Sequence, residues 1–182
     1  PTYFYLDKGQ LVSGWELSVG DNSNWYTPIK DRAGVSASGK ISVLTTDFRE
    51  QKDAIQFVWV KRKDTVGSVS ISGAAIDLSA VEQSAGLVID IKVDVAPDKD
   101  VSLGMSCGHP CQGQMQVGKL LKSLKKGEWM SLPIPISCFV KNGLDVKKIS
   151  SPLTITTDGK LTLSVANVRV EKLNDDEKIC NE

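Results

Sequence analysis

The chain has 182 residues, a length that fits one compact domain and leaves little room for two. Its 22 Lys plus Arg balance 22 Asp plus Glu, so no net charge attracts nucleic acid or an anionic membrane surface. With 41% hydrophobic and 24% charged residues, the composition is that of a folded globular protein. Apolar runs such as 58–60 and 87–89 are far shorter than the roughly 20 residues of a membrane-spanning helix, so no membrane insertion is expected.

Short β-rich runs separated by turn residues recur along the chain, and a helical period is confined to 117–124 and 145–149. Eight or more such strands are typical of a β-sandwich. The sequence therefore predicts an all-β fold, a jelly-roll sandwich with one or two short helices. The clearest predicted strands are 41–46, 54–61, 68–71, 87–94, 101–106, 130–136, 153–157 and 161–170.

The sequence also predicts which side of one strand is buried and how the last two strands are connected. Along 87–94, apolar residues alternate with a mostly polar series, so one side of that strand is predicted to be buried and the other largely solvated. The residues between the last two predicted strands, 157–160, contain an Asp-Gly pair, which favours the positive φ of a tight hairpin turn. The last two strands are therefore expected to be antiparallel neighbours.

Cysteine usage indicates disulfides. An even set of cysteines with a single histidine in the whole chain argues against a zinc site and favours an oxidising compartment. A Cys107–Cys111 bond would close a very short loop, and a Cys138–Cys180 bond would close a long one and fasten the tail. Cysteine spacing alone leaves crossed pairings open. The four residues are Cys107, Cys111, Cys138 and Cys180.

The ends of the chain also give expectations. Residues 1–173 are predicted to form one domain, and 174–182 a polar C-terminal tail that a disulfide could fasten. The chain opens at Pro1 without an initiator Met or a signal-peptide pattern, which predicts a processed protein or a piece of a longer one.

Catalytic motifs are sparse. His109 lies in a Gly- and Pro-containing loop between two cysteines, a pattern typical of a surface turn rather than of a positioned base, although it could hydrogen-bond a ligand. Carboxylates can hydrolyse glycosides in pairs, but no such constellation is recognisable. Phosphate-binding glycine motifs are lacking, so no cofactor is required. The loop carboxylates Asp21, Asp145 and Asp175 are candidate oxygen ligands for a structural Ca²⁺, although the spacing is not that of an EF-hand.

Aromatic residues are more informative, because sugar rings stack on Trp and Tyr while amides, carboxylates and guanidinium groups bind sugar hydroxyls. Trp25 and Tyr26 follow a Gly-Asp-Asn-Ser-Asn loop, which predicts that both are exposed. Trp59 shares a strand face with apolar residues, so it has two alternative roles, packing in the core or binding a ligand. Core packing is equally an alternative for Trp129, which begins a predicted strand.

A series of short motifs runs through the chain. In order they are Trp15-Glu16-Leu17, the 47–54 stretch DFREQKDA, Trp59, the 107–113 loop CGHPCQG, the 127–135 stretch GEWMSLPIP with the following 138–139 and 143–145, and the closing strand 161–170. Together they resemble the C-terminal domain of bacterial family 3 exo-β-glucan glucohydrolases, the ExoP-type enzymes, a galactose-binding-like β-sandwich. The resemblance covers roughly residues 12–170.

This resemblance implies a non-catalytic carbohydrate-binding module. The catalytic residues would lie in other domains of a parent glycoside hydrolase, and the module would hold that enzyme on a β-glucan such as laminarin, mixed-linkage glucan or cellulose. An extracellular or periplasmic bacterial location follows. The alternatives are a structural sandwich that packs on its parent without binding sugar, and a self-sufficient hydrolase that uses paired carboxylates.

The predicted carbohydrate site combines the resemblance with the exposed aromatics. The family's Asp, Gln, Asp and Trp pattern falls on Asp47, Gln51, Asp53 and Trp59, and the early family Trp matches Trp15. Two departures stand out, because His109 occupies a position where an aromatic residue is expected and Cys180 lies outside the family pattern. The predicted site residues are Trp15, Trp25, Asp47, Gln51, Asp53, Trp59 and His109.

Overall fold

Residues 2–180 are described by a computed structural model, in which two β-sheets pack face to face. Apolar side chains alternate with polar ones along most strands, so each sheet turns one face to a shared core and the other outward. Two short α-helices, α1 (Gly118–Ser123) and α2 (Ile136–Lys141), lie in connections. The strands are β1 (Tyr3–Asp7), β2 (Gln10–Leu11), β3 (Trp15–Asp21), β4 (Asn24–Pro28), β5 (Gly34–Val35), β6 (Ile41–Thr46), β7 (Ala54–Trp59), β8 (Gly67–Gly73), β9 (Ala85–Val95), β10 (Val101–Ser106), β11 (Gln112–Gln116), β12 (Trp129–Pro135), β13 (Ser151–Thr157) and β14 (Leu161–Lys172).

The first sheet has the strand order β12-β9-β14-β7-β6-β5, and the second has the order β11-β10-β13-β8-β3-β4. In the first sheet the long strand β14 pairs with β9 along one side and with β7 and then β1 along the other, and β2 extends from β1. Every one of these named strand pairs is antiparallel. The predicted all-β sandwich is confirmed.

The core lies between the two sheets. Trp59 on β7 is 1% exposed, and its indole Nε1 donates a hydrogen bond to the carbonyl oxygen of Gly67 on β8 at 2.9 Å, which joins the sheets. The alternation predicted along β9 is confirmed, because its apolar series is buried while the intervening polar residues lie on the outer face. The buried members are Leu87, Ile89, Ile91 and Val93.

A buried ammonium group closes one end of the core. Lys40 precedes β6 and is fully buried, with its Nζ donating to the carbonyl oxygens of Val60 at 2.7 Å, Asp158 at 3.0 Å and Gly159 at 3.0 Å. Three acceptors match the three N–H donors of an ammonium. Burial lowers the pKa of Lys40, and the nearby carboxylates of Asp158 and Asp98 oppose that shift. These bonds join the start of β6 to the end of β7 and to the segment that crosses between the two sheets.

The prediction of a hairpin at residues 157–160 is wrong. β13 belongs to the second sheet and β14 to the first, so this segment crosses between sheets. Neither Asp158 nor Gly159 has a positive φ, and a Cβ on Gly159 would lie 2.2 Å from a carboxylate oxygen of Asp98. The missing Cβ therefore lets the Asp98 and Lys99 side chains approach closely here, and turn geometry does not call for the glycine.

Several elements lie outside the sequence predictions. The strands β1 to β5 and β11 were not predicted; β3 and β11 carry Gly, Ser or Gln in place of most β-branched residues, and β2 and β5 have only two residues each. The helix α1 falls within the predicted 117–124 segment, whereas residues of 145–149 form a 3₁₀ turn, Val146–Lys148. The helix α2 follows β12 directly and was not predicted.

The structure has the disulfides Cys107–Cys111 and Cys138–Cys180, so the crossed pairings are excluded. Cys138 lies on α2 and is fully buried, and its bond fixes the tail beyond β14. The tail is held further by the amide of Leu173, which donates to Ser84 O at 2.9 Å. The last residues of the predicted tail, 181–182, lie outside the described residues.

Asp21 links the sheets at the end of β3. This fully buried carboxylate accepts hydrogen bonds from the Ser38 amide at 2.8 Å, the Ser38 hydroxyl at 2.7 Å and the Ser23 amide at 2.9 Å. Burial alone would raise the pKa of Asp21, but hydrogen bonds from Ser36, Ser38 and Ser23 outweigh it and hold the pKa well below its usual value.

Acid should therefore destabilise the fold partly through Asp21. Below about pH 4 the unfolded chain binds a proton at Asp21 before the folded chain does, so this contribution to stability is present at neutral pH and lost as the pH falls. We expect Asp21→Asn to reduce the slope of unfolding free energy against pH between about pH 4 and pH 2. Urea unfolding at several pH values measures this slope. The exposed Asp64→Asn is the control, and equal slopes in both variants would contradict the assignment.

Candidate functional site

The outer face of the first sheet is partly covered by the loop between β6 and β7. In this 47–53 loop, the Asp53 carboxylate accepts hydrogen bonds from the amides of Phe48, Arg49 and Glu50. These bonds outweigh the effect of burial and lower the pKa of Asp53. Asp47 similarly accepts from an amide within its own loop, at 2.7 Å. Both predicted site carboxylates thus shape the loop.

The same loop packs an aromatic ring onto the first sheet. The rings of Phe48 and Trp129, the first residue of β12, have centroids 4.6 Å apart. Since β6 and β12 lie on different sides of this sheet, the contact requires the loop to fold back across the outer face. Arg49 lies over the Phe48 ring and Lys92 over the Trp129 ring, at 4.7 and 5.4 Å from the ring centroids.

Beneath this loop, the charged groups of the first sheet are already paired. Asp90 on β9 accepts from Arg169 at 2.7 Å and from Asn167 at 2.8 Å, and Lys92 lies 3.3 Å from Asp94. Hydrogen bonds from Ser131, Asn167 and Arg169 outweigh burial and lower the pKa of Asp90. The 47–53 loop therefore covers part of the outer face of the first sheet, and the Asp90, Lys92, Asp94 and Arg169 side chains there are paired with one another.

The outer face of the second sheet is open and has a different chemistry. Along each strand, the residues that alternate with the core residues are small or amide-bearing, and Glu16 is the one charged residue among them. We call this set the polar face. Its members are Glu16, Ser18 and Gly20 on β3, Tyr26 and Pro28 on β4, Ser68, Ser70 and Ser72 on β8, Ser102, Gly104 and Ser106 on β10, Gln112, Gln114 and Gln116 on β11, and Thr154 and Thr156 on β13.

Tyr26 supplies an aromatic ring at one edge of the polar face. Its hydroxyl donates to the carboxylate of Glu16 on the neighbouring strand, a bond that also raises the pKa of Tyr26. Ser18 lies between these two residues on the same face and is only 7% exposed, as expected where the ring lies along the sheet. The ring itself is 53% exposed, so a fixed aromatic surface is presented to solvent.

Hydroxyl and amide groups fill the remainder of the polar face. Ser68 pairs with Thr156 across β8 and β13, and Ser70 pairs with Thr154 at 3.3 Å. At the opposite edge from Tyr26, the Gln116 amide donates to a β10 serine at 3.0 Å. Each of these groups can both donate and accept, which matches the hydroxyls of a neutral sugar.

The predicted site residues do not converge on one place. Trp59 is in the core, so its assignment to a ligand site is corrected: a 1% exposed indole has no face for a sugar. Trp15 is half-buried and packs edge-on against Tyr5, with ring centroids 4.9 Å apart. Trp25 is 58% exposed on β4, beside the register shift in the pairing of β4 with β3.

The remaining predicted residues lie in two loops. Asp47 and Asp53 accept amide hydrogen bonds in the 47–53 loop, and Gln51 is exposed there. His109 is exposed in the disulfide-closed turn between β10 and β11, beyond the end of the polar face. Of the seven, none is a member of the polar face.

The residues missed by the sequence reasoning are the serines, threonines and glutamines of the polar face. They occur on five different strands between positions 18 and 156, so only the strand register brings them together. A detectable signal was the alternation of Ser with apolar residues along 68–72. Tyr26 was recognised as exposed but was not included in the site.

The described part of the chain has neither a cluster of metal-ligating side chains nor a free thiol. Among residues 2–180, no three His, Cys, Asp or Glu side chains are grouped as metal ligands. The calcium candidates are engaged otherwise, since Asp21 and Asp145 accept amide hydrogen bonds and Asp175 pairs with Lys178 at 3.3 Å. All four cysteines are in disulfides. No helix within the described residues has the length and apolar content of a membrane span.

With the two sheets and their faces described, comparison with known proteins assigns the family. Residues 13–170 match the Exop_C family, which is described as galactose-binding domain-like. The chain belongs to this family. The resemblance inferred from the motifs is thereby confirmed. Among curated protein sequences, none matches the chain.

Solved structures share this galactose-binding domain-like fold. The extra C-terminal domain of an exo-1,3/1,4-β-glucanase from a Pseudoalteromonas species superposes with a TM-score of 0.80 at 18% identity, covering 99% of each chain. Against the structure of the exo-1,3/1,4-β-glucanase itself, the match covers 98% of this chain and 21% of that one, so this chain spans about a fifth of that length.

Two carbohydrate-binding modules from Clostridium thermocellum are also similar to this chain. A family 30 module of a cellulosomal cellulase has a TM-score of 0.65 at 12% identity, with 96% of this chain and 99% of that chain covered. A family 11 module in complex with a β-1,3-1,4-mixed-linked tetrasaccharide has a TM-score of 0.59 at 13% identity, with 94% and 95% covered. At these identities the matches establish the fold. The matched domains are accessory domains, in agreement with the prediction that this chain is not itself an enzyme.

Proposed function

We propose that this domain binds a neutral polysaccharide, a β-glucan, on the polar face and does not hydrolyse it. The observation that carries the proposal is an open sheet face of hydroxyl and amide groups, with one exposed tyrosine ring fixed along its edge. A neutral glucan offers the matching groups, because its ring faces stack on an aromatic and its hydroxyls donate and accept hydrogen bonds.

The location of charge also favours a neutral ligand. The one carboxylate of the polar face, Glu16, is engaged by the Tyr26 hydroxyl, and none of the face residues is Lys or Arg. An anionic polymer would find no cation there, whereas a neutral chain leaves no charge unpaired. The β-glucan assignment draws on the names of the similar proteins, an exo-1,3/1,4-β-glucanase domain and a module holding a mixed-linked tetrasaccharide.

By the same comparison, the domain would serve the catalytic domains of a parent glycoside hydrolase of family 3 in a bacterium. Its two disulfides fit an extracellular or periplasmic location, where such bonds persist. The affinity should be weak, about 10 µM to 1 mM, because an open site gains little beyond the cost of desolvation and ordering.

Replacing Tyr26 tests the proposal. We expect Tyr26→Ala to weaken binding about tenfold, equivalent to about 1.4 kcal/mol, because the stacking surface is lost. Calorimetric titration with laminarin, barley β-glucan, soluble cellulose and xylan oligosaccharides measures the affinity, and a reducing-sugar assay on the same samples detects hydrolysis. Urea unfolding of the variant verifies that the fold is retained.

An exposed tyrosine of the first sheet provides the matched control. Tyr3 is 48% exposed on β1, which pairs with β14 of the first sheet, so Tyr3→Ala should change the affinity less than twofold. If Tyr3→Ala abolishes binding while Tyr26→Ala does not, the ligand does not lie on the polar face. Release of sugar would instead restore the hydrolase hypothesis.

A second candidate function is packing on another protein domain without binding sugar. One observation favours it, an aromatic-lined depression of about 500 Å³ beside β1, whose walls include Tyr3, Phe4, Trp15, Ile76 and Val81. Exposed apolar surface of this kind is typical of interaction sites. Self-association of the isolated domain, with no heat from any glycan, would support this function over carbohydrate binding.

A further inference from the structure

We infer that Trp25 contacts the glycan together with Tyr26, because a β-bulge in β4 turns both aromatic side chains to the side of the polar face. This inference rests on the proposed function and adds a second stacking residue to its site. The members of the polar face follow simple alternation along each strand, which leaves out Trp25. Alternation fails where a strand carries an extra residue, and β4 carries one at this position.

The bulge follows from the register of β3 against β4. Asn24 of β4 pairs with Asp21 of β3. The next pair joins Thr27 to Val19, so two residues of β4 lie opposite Gly20 alone. Two residues opposite one define a β-bulge.

The register also decides on which side of the sheet the two extra side chains lie. Residues that pair directly across two strands share a face, and the β3 partners at positions 19 and 21 are both buried on the core side. Their β4 partners at positions 24 and 27 therefore lie on the core side, and the two residues between them lie on the outer side. Tyr26 agrees with this register, because its hydroxyl donates to Glu16 of the polar face. The same register places Trp25 beside it.

Glycine at position 20 permits this bulge. A Cβ on Gly20 would lie 2.2 Å from the carbonyl oxygen of Trp25, a separation that Cβ atoms do not reach. The Asn24 side-chain oxygen accepts a hydrogen bond from the Tyr26 amide at 3.0 Å, which holds the backbone of the bulge. Bulges of this kind re-aim side chains beside functional sites.

The exposure of the two rings supports a role in binding. Trp25 is 58% and Tyr26 is 53% exposed, which makes them the two most exposed aromatic residues among residues 2–180. A bulge on an edge strand also protects a sheet from pairing with another chain, but that protection needs no aromatic side chain. Two adjacent rings beside a surface of hydroxyl groups match a sugar chain, whose ring faces stack on indole and phenol.

Substitution of Trp25 tests the inference. We expect Trp25→Ala to weaken binding of a β-1,3-glucan or β-1,4-glucan hexasaccharide about tenfold in calorimetric titration, as Tyr26→Ala does. The urea midpoint should stay unchanged, because the side chain is largely exposed. Trp25→Phe keeps an aromatic face and should restore most of the affinity, whereas Trp25→Leu is apolar without a ring and should bind as weakly as Trp25→Ala. Tyr3→Ala remains the control on the first sheet.

Tryptophan fluorescence gives a readout that a structural role would not change. Trp59 is buried, and Trp15 and Trp129 are partly buried, so Trp25 is the most exposed fluorophore of its type in the described chain. Saturating hexasaccharide should shift the emission of the unmodified domain and reduce its quenching by acrylamide. Both changes should be absent in Trp25→Ala at a ligand concentration that saturates that variant, and present in Tyr3→Ala.

The outcomes separate the inference from the proposed function. If Trp25→Ala changes the affinity less than about twofold while Tyr26→Ala weakens binding, the inference is wrong and the proposed function stands. If Trp25→Ala weakens binding and Tyr26→Ala does not, the two rings do not act together and the inference is equally wrong. If no neutral glucan binds the unmodified domain, the proposed function itself fails and the inference with it.

Discussion

Replacement of the buried Lys40 by methionine should lower the free energy of unfolding by about 3 to 5 kcal/mol. Methionine fills much of the same volume but donates no hydrogen bond, so the carbonyl oxygens of Val60, Asp158 and Gly159 are left without their donor. Buried acceptors without partners each cost about 1 to 3 kcal/mol. Urea unfolding monitored by tryptophan fluorescence measures the change.

An exposed lysine gives the control for this substitution. Lys63→Met lies at the surface of the loop after β7, where changes usually alter stability by less than about 0.5 kcal/mol. If Lys40→Met costs less than about 1 kcal/mol, the three carbonyl oxygens must find other donors, and the ammonium does not fasten the crossing segment to the first sheet as described.

Loss of the Cys138–Cys180 disulfide is the second large effect. This bond spans a sequence separation of 42 residues, and in the chain-entropy model a loop of that length is worth about 4 kcal/mol. The double substitution Cys138→Ala with Cys180→Ala should remove most of it. Part of the tail should remain docked, because the Leu173 amide is bonded to Ser84 and the Leu173 side chain is buried.

The other disulfide serves as the comparison. Cys107–Cys111 has a sequence separation of 4, for which the same model gives about 2 kcal/mol. Denaturant unfolding without reductant should therefore rank the Cys138–Cys180 double variant below the Cys107–Cys111 double variant. The reverse order would indicate that the small turn between β10 and β11 stabilises the fold through contacts beyond loop closure.

The fold was predictable where local pattern and tertiary environment agree. Along β9 the alternation of apolar and polar residues identified both the strand and its buried side. The family resemblance added the sandwich architecture, because its motifs extend over nearly the whole chain. The crossing at 157–160 was mistaken, since an Asp-Gly pair also suits a tight crossing in which Asp98 approaches the glycine.

The candidate site was much less predictable, because it depends on strand register. Ser70, Thr154 and Gly104 meet only when three strands from distant parts of the sequence align. In the 47–53 loop the sequence instead carries a motif that was assigned to the binding site, because its acidic residues resemble a binding motif. In the structure Asp53 accepts three amides of its own loop, so the motif is explained by loop geometry.

The absence of lysine and arginine from the polar face has a practical use in handling the protein. Amine-reactive dyes, biotin esters and activated supports attach to lysine, so they would modify the domain at its loops, its tail and the first sheet, never on the proposed contact surface. Randomly coupled protein would keep that surface chemically unaltered. The domain therefore suits immobilised and fluorescent assays without engineered attachment sites.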